Sequence, residues 1–293
     1  MGRISRIIIG IDMRVKIYRH FIFILIFFLT MPIAAIADVL VKPIAIVSAL
    51  SLENAMLVSQ LQHATVHQYL KRRYYTGLLD KQHVVIVALG VGPVNAAEGT
   101  AILIDRFSPS AIIFSGVAGG TGKVEPGFVV MGKRSIYYDY GMTDAAGKYT
   151  PTNTLDPTST FVEPGVKQNP LYFMADKNLF SIAKKAIGSA KLQTLFYKGK
   201  PYKPKVVAGT IVTRNQFSVY GKELNKIVKA TNAYAFDMEG GAVAQVAYQQ
   251  HVPYLVIRSI SDTTDLAMFA ILQKSAAKNA EIFIQAMLGT CTK

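Results

Sequence analysis

The chain of 293 residues is poor in charged residues, has a single cysteine and lacks tryptophan. Charged residues make up 17% and hydrophobic residues 51% of the sequence, which excludes an intrinsically disordered chain and allows a sizeable core. Because Cys291 is the one cysteine, no disulfide can form within the chain. The sequence also lacks a Gly-x-Ser-x-Gly motif, a phosphate-binding P-loop and a cluster of metal ligands. We therefore expect neither a metal nor a cofactor.

The charged residues that are present are mostly basic, with 32 Lys and Arg against 18 Asp and Glu and a net charge of +14. A basic surface can attract nucleic acid or an anionic membrane. The sequence has no zinc-finger spacing, no aromatic RNA-binding motif and no run of five or more basic residues. We interpret the charge as a solvated basic surface and expect no nucleic-acid partner.

The N-terminus has the pattern of a secretory signal peptide. Basic residues at positions 14, 16 and 19 precede an apolar run at 21–29, and the small-x-small sequence Ala35-Ile36-Ala37 follows. The apolar run is shorter than the roughly 20 residues that a membrane-spanning helix needs. The pattern therefore predicts a cleaved targeting segment, with an uncleaved N-terminal anchor as the alternative.

This interpretation divides the chain into residues 1–37, a signal peptide cleaved after Ala37, and residues 38–293, one catalytic domain. The mature protein is predicted to be exported, either periplasmic or secreted, without a stable membrane span.

Beyond residue 43, short apolar runs alternate with helical stretches. We predict strands at 43–49, 84–89, 111–114, 127–138, 206–212, 234–237 and 253–260, and helices at 53–62, 93–107, 241–250 and 266–288. Such alternation indicates an α/β fold with a largely parallel sheet covered on both faces. The segment 150–170 is rich in Thr, Pro, Asn and Gly and is predicted to be a long loop, either a binding loop or a plain surface insertion.

Two carboxylates, Glu239 and Asp262, follow apolar runs. Ligand sites in open α/β sheets lie at the carboxyl ends of the strands, which favours an enzyme acting on a polar small molecule. Partial desolvation would raise the pKa of either group and suit it to act as a general acid. For Asp262, a structural salt bridge with Arg258 is the alternative interpretation.

Three further features have both a functional and a structural interpretation. Glu53 follows the first strand and is either catalytic or a charge at a helix N-terminus. The glycine turns 90–92 and 116–120 either admit a ligand close to the backbone or serve as tight turns. Phe217 either stacks on a base or packs in the core.

Together these features resemble the 5′-methylthioadenosine/S-adenosylhomocysteine nucleosidases of the nucleoside phosphorylase superfamily. The resemblance runs from about Pro43 to the C-terminus and is carried by segments 44–53, 90–97, 115–120, 236–244 and 256–262. It implies a single-domain α/β fold, with a twisted mixed β-sheet flanked by helices, and a homodimer.

The resemblance also implies roles for the matching residues. Asp262 would protonate adenine N7, Glu53 would activate the attacking water, and Glu239 would bind both ribose hydroxyls. The other implied substrate contacts are Met238 against the sugar, Phe217 stacked on adenine, Ser218 at the base edge through its backbone, Ser261 orienting Asp262, Phe269 against the 5′ substituent, and Val91, Ala118 and Gly119 in the glycine turns.

The residue types favour water over phosphate as the nucleophile. Phosphorolysis needs Arg side chains aimed at phosphate, and the turns 90–95 and 116–122 contain none. We therefore predict hydrolysis of a purine nucleoside. A purine nucleoside phosphorylase is one alternative, because the run 213–216 departs from the family's usual Ser-Gly-Asp-Ala-like run. A non-catalytic nucleoside-binding or storage protein is another, because of the signal peptide, Val117 and Arg214.

Overall fold

A computed structural model describes residues 41–151, 169–197, 199–217, 221–263 and 266–291. The predicted signal peptide, most of the predicted loop 150–170 and Ser218 lie outside these ranges. The strands are β1 (Ile44–Ser48), β2 (Gln62–Tyr69), β3 (Arg72–Leu79), β4 (Gln82–Ala88), β5 (Ala111–Phe114), β6 (Val117–Gly120), β7 (Val129–Tyr137), β8 (Gly141–Thr143), β9 (Tyr149–Pro151), β10 (Phe173–Met174), β11 (Leu195–Tyr197), β12 (Lys200–Tyr202), β13 (Val206–Thr213), β14 (Ala233–Asp237) and β15 (Tyr254–Asp262). The helices are α1 (Ala55–Ser59), α2 (Pro93–Phe107), α3 (Lys177–Ala186), α4 (Gly221–Thr231), α5 (Gly240–Gln249) and α6 (Leu266–Cys291), and a 3₁₀ turn spans Ser51–Glu53.

Eleven strands form one mixed sheet in the order β10-β7-β13-β14-β6-β15-β5-β1-β4-β3-β2. The pairings β4–β1, β1–β5, β5–β15 and β15–β6 are parallel. The pairings β2–β3, β3–β4, β6–β14 and β7–β10 are antiparallel. The pairings β7–β13 and β13–β14 are parallel as well, so six of the ten neighbouring pairings in this order are parallel. The predicted α/β fold with a mixed, largely parallel sheet flanked by helices is confirmed.

Five strands of the sheet close into a ring. Besides pairing with β13, β7 pairs antiparallel with β15, so β7, β13, β14, β6 and β15 form a ring of strands. Within the ring, β6 lies between β14 and β15 and pairs Gly119 with both Phe236 and Asp262. The ends of two predicted active-site strands are thereby brought to one place.

Strand alternation gives the sheet two buried faces. In β1, Ala45 and Val47 pack into a cluster that contains side chains of α2 and α5. Ile46 points to the opposite face, where side chains of α3 and α6 complete a second cluster. Helices therefore cover both faces of the sheet, and the residues from Lys42 onward pack as one unit.

The predicted helix at 53–62 is confirmed over half of its length. Its helical part is α1, which ends at Ser59, and Gln62 already begins β2. Most positions of β2 are exposed and polar, so they give no apolar alternation from which a strand could be predicted. The helices predicted at 93–107, 241–250 and 266–288 match α2, α5 and α6 closely. Among the described residues, no helix is long and apolar enough to cross a membrane.

Candidate active site

A cleft opens beside the junction of β6, β14 and β15. Its empty volume, including the part open to solvent, is about 680 Å³. This volume lies within the roughly 300–1,000 Å³ typical of small-molecule sites. It is lined by every predicted site residue that the structure describes, namely Glu53, Val91, Ala118, Gly119, Phe217, Met238, Glu239, Ser261, Asp262 and Phe269. The chain thus brings together residues that are up to about 200 positions apart.

Glu53 ends the 3₁₀ turn, and its carboxylate is held by backbone donors. Its Oε2 accepts hydrogen bonds from the N–H groups of Ala49 (2.9 Å) and Leu50 (2.7 Å), and its Oε1 accepts one from Val117 (2.8 Å). Burial raises the pKa of Glu53 despite these donors and the nearby positive charge of Arg258. The carboxylate is therefore fixed in place and able to accept a proton. The apolar side chain of Val117 does not prevent this contact, because its backbone N–H makes it.

Glu239 lies between β14 and α5 and is almost fully buried. Its Oε1 accepts a hydrogen bond from the Gly92 N–H (2.9 Å), and its Oε2 accepts one from Arg258 Nη2 (3.2 Å). Burial raises the pKa of Glu239 to about 7, and the negative charges of Asp237 and Glu53 act in the same direction. This carboxyl therefore exchanges a proton near neutral pH.

Arg258 is a site residue that the sequence reasoning did not identify. Its guanidinium is fully buried and lies over the Phe114 ring, 3.9 Å from the ring centroid. Its Nε donates to Asp237 Oδ2 at 2.8 Å, and its other ion pair is the one with Glu239. The alternative salt bridge between Arg258 and Asp262 is wrong. A charged residue inside an apolar strand was a signal for buried carboxylate partners, but it did not indicate which ones.

Asp237 connects the ion pair to the start of α5. Its Oδ1 accepts a hydrogen bond from Thr213 Oγ1, and its Oδ2 also accepts one from the Gly240 N–H at 3.0 Å. The Gly241 N–H donates to Thr213 Oγ1 at 2.6 Å. A Cβ atom on Gly240 would lie 2.4 Å from Asp237 Oδ2, so the helix can begin this close to the carboxylate only with glycine there.

Asp262 ends β15 and is 3% exposed. Ser261 Oγ donates to Asp262 Oδ2 at 2.8 Å, which is the contact expected of a residue that orients the carboxyl group. A Cβ atom on Gly119 would lie 3.4 Å from Asp262 Oδ1. The second glycine turn therefore passes directly beside this carboxyl group.

Two aromatic rings form an apolar part of the cleft wall. Phe217 and Phe269 contact edge to face, with centroids 5.1 Å apart and planes at 78°. Phe217 is 46% exposed, so it is not a core residue and has apolar surface available to a ligand.

The run 213–216, which precedes Phe217, directs the charge of Arg214 away from the cleft. Arg214 Nε donates to Asp139 Oδ1 (2.7 Å), and its Nη1 donates to Glu223 Oε1 (2.8 Å). The Asn215 N–H donates to Asp139 Oδ2 at 2.6 Å. Of the four residues at 213–216, Gln216 lines the cleft. Arg214 therefore acts on the loop rather than directly on a bound base.

The carboxylates of the cleft are held by backbone N–H groups, a hydroxyl and a guanidinium. Within the described ranges, no group of three or more His, Cys, Asp or Glu is placed to hold a metal ion. Carboxyl groups in different surroundings can divide the roles of proton donor and proton acceptor between them, which is the requirement of acid–base catalysis.

Comparison with known proteins agrees with this geometry. The family model of the phosphorylase superfamily matches residues 43–289. A 5′-methylthioadenosine/S-adenosylhomocysteine nucleosidase of Staphylococcus aureus is 30% identical over 245 residues, which cover 81% of this chain and 96% of that protein.

Solved structures give the same result. A nucleosidase of this name from Colwellia psychrerythraea, in complex with adenine, has a TM-score of 0.70 and 30% identity, covering 85% of this chain and 95% of that one. The enzyme of the same name from Neisseria meningitidis, in complex with methylthio-immucillin-A, has a TM-score of 0.70 and 26% identity, covering 85% and 99%. The chain belongs to the phosphorylase superfamily and, within it, to the 5′-methylthioadenosine/S-adenosylhomocysteine nucleosidases.

Proposed function

We propose that the protein hydrolyses the N-glycosidic bond of 5′-methylthioadenosine, S-adenosylhomocysteine or a related purine nucleoside and releases adenine. The observation that carries this proposal is the meeting of Glu53, Glu239 and Asp262 around one cleft, beside the exposed ring of Phe217. The activity named for its relatives supports it.

The reaction needs a proton acceptor on the water side and a proton donor on the base side. As the bond between C1′ and N9 breaks, positive charge develops on the ribose and negative charge on the purine. The water oxygen bonds to C1′ and Glu53 takes its proton, while Asp262 gives a proton to adenine N7. General acid–base catalysis by positioned groups of this kind contributes roughly 10²–10⁴-fold each.

The other cleft residues bind the substrate in this scheme. Glu239 accepts hydrogen bonds from the ribose hydroxyls, Met238 packs against the sugar, and Phe217 stacks on the adenine. The remaining contacts are Ser218 at the base edge, Ser261 orienting Asp262, Phe269 against the 5′ substituent, and Val91, Ala118 and Gly119 along the glycine turns.

Water rather than phosphate is the proposed nucleophile. Arg258 is the guanidinium nearest to Glu53 and Glu239, and its donors are engaged by Asp237, Glu239 and a backbone carbonyl. A phosphate dianion would have to compete with those carboxylates for the same cation, which is unfavourable.

The enzyme is further proposed to be exported after cleavage at Ala37 and to act as a homodimer, as the signal sequence and the family resemblance suggest.

The test is adenine release by residues 38–293, measured with and without phosphate. The substrates are methylthioadenosine, adenosylhomocysteine, adenosine and inosine, and the matched variant is Asp262→Asn. We expect phosphate-independent release that falls at least about 100-fold in the variant. Release only with phosphate would establish a phosphorylase instead, and tight binding without turnover would establish a binding protein.

A further inference from the structure

Glu281 on α6 is a buried carboxyl group that the proposed chemistry does not use. It is 3% exposed, and its Oε1 accepts hydrogen bonds from the N–H groups of Met56 (2.8 Å) and Leu57 (3.2 Å). These N–H groups belong to the first turn of α1, where a helix has no internal acceptors for them. A side chain about 225 positions away in the sequence thus caps the short helix.

Helix α1 lies next to Glu53, the proposed proton acceptor. Asn54 alone separates Glu53 from α1, and Asn54 Nδ2 donates to Ser48 Oγ at the end of β1 (2.9 Å). A helix of five residues is not stable by itself, so its position depends on contacts from elsewhere in the fold. The turn that carries Glu53 is therefore held by β1 on one side and by α6 through Glu281 on the other.

We propose that Glu281 is a positioning residue for Glu53, holding the turn that presents this carboxylate to the cleft. The inference rests on the proposed function, in which Glu53 activates water. It assigns α6 two tasks, because the same helix carries Phe269 in the cleft wall and the cap of α1.

The negative charge of Glu281 has a second effect. Burial raises the pKa of Glu281, and the charge of Glu53 raises it further. Because the repulsion between two negative charges is mutual, we expect an ionised Glu281 to raise the pKa of Glu53 in turn. The other charged groups that act on this pair are Arg258 from β15, Glu239 at the start of α5 and Lys278 on α6. Removing the charge of Glu281 should lower the pKa of Glu53 and weaken it as a base.

The experiment compares Glu281→Gln, which keeps an acceptor oxygen without the charge, with Glu281→Ala, which removes the cap. The matched control is Glu98→Gln, which removes an exposed carboxylate on α2 that pairs with Arg72. We expect Glu281→Ala to lower kcat about tenfold or more, with the Kd for adenine changed less than about twofold, because the proposed adenine contacts lie on other elements. In Glu281→Gln, the acid limb of the kcat/KM profile should move about 0.5 pH unit or more to lower pH.

A second readout does not depend on turnover. The titration of the Glu53 carboxyl carbon is followed by ¹³C NMR, with its signal assigned by its loss in Glu53→Gln. A lower titration midpoint in Glu281→Gln than in the wild type and Glu98→Gln supports the proposal. An unchanged midpoint, together with unchanged kcat in Glu281→Ala, would overturn it and leave Glu281 as a cap for stability alone. Absence of adenine release by the wild type would instead refute the proposed function, and the NMR comparison would still decide the role of Glu281.

Discussion

One guanidinium balances several carboxylates at the base of the cleft. Arg258 pairs directly with Asp237 and Glu239, and its charge also acts on Glu53. Were all three carboxylates ionised, the buried group would have an excess of negative charge, which is unfavourable away from water. Burial is the main cause of the raised pKa values of Glu53 and Glu239, and for Glu239 the negative charges of Asp237 and Glu53 add to it.

The pKa of Glu239 predicts how stability depends on pH. The folded-state pKa of about 7 lies above the ordinary value of 4.5, so between these pH values the folded state holds a proton that the unfolded state has lost. Stability is therefore expected to fall by about 3 kcal/mol as pH rises from 4.5 to 7, and to level off above 7. Urea unfolding of the wild type and Glu239→Gln across this range measures it. If stability depended on pH in the same way in both proteins, this would contradict a raised pKa of Glu239 in the folded state.

Among the described glycines, Gly116 is the one where an added Cβ atom would come closest to another atom, so we expect its replacement to be poorly tolerated. A Cβ atom there would lie 2.1 Å from Arg258 Nη1 and 2.6 Å from Glu53 Oε1, and both groups are buried and hydrogen-bonded. Gly116→Ala should lower the free energy of unfolding by about 3 kcal/mol or more and reduce activity with it. Gly188→Ala is the matched control, since nothing lies within 4 Å of its Cβ position, and should stay within about 0.5 kcal/mol. Equal effects in thermal unfolding would show that the close contact at Gly116 relaxes freely.

At the scale of elements, the loop before Phe217 is anchored by Arg214. The ion pairs of Arg214 join the loop to Asp139, after β7, and to Glu223 on α4. Arg214→Gln should free the loop and raise KM about three- to tenfold, equivalent to roughly 0.7–1.4 kcal/mol, while kcat changes little because the proposed acid and base lie elsewhere. Lys226→Gln, which removes an exposed charge from α4, is the control for steady-state kinetics. A fall in kcat at constant KM would contradict an anchoring role.

The sequence predicts those parts of the site that depend on local pattern. Apolar runs followed by Glu239 and Asp262 identified β14 and β15, and Pro93 identified the start of α2. Each signal lies within a few residues of the feature it predicts. For this reason all described site residues that were predicted line one cleft, although nothing local indicated how close they would be.

The parts that could not be predicted depend on contacts between distant elements. The ring closed by β7 and β15, and the insertion of β6 between β14 and β15, follow from pairings that leave no periodic signal. The partners of Arg258 and the cap provided by Glu281 are likewise long-range contacts. The polar hairpin of β2 and β3 was missed because its exposed edge strand lacks the apolar alternation of a half-buried strand.

At the scale of the whole molecule, the cleft is assembled from most of the fold. Its walls come from the 3₁₀ turn after β1, the glycine turns, the ends of β14 and β15, and α6. The clusters on the two faces of the sheet set the distances between these elements. We therefore expect activity to require the folded unit from Lys42 onward.

The proposed export of this domain gives a prediction about the processing of residues 1–37. Signal peptidase needs small side chains at the first and third positions before the cut and tolerates larger ones between them. Expressed in a bacterium, the chain of 32.0 kDa should be shortened to a protein that begins at Asp38. Ala37→Tyr should block this processing and keep the protein at the membrane, whereas Ile36→Tyr, one position away, should be processed normally. Intact mass and N-terminal sequencing of both variants measure the outcome. A wild-type protein that keeps residues 1–37 at the membrane would instead establish the uncleaved anchor, because an apolar segment that escapes cleavage stays in the bilayer.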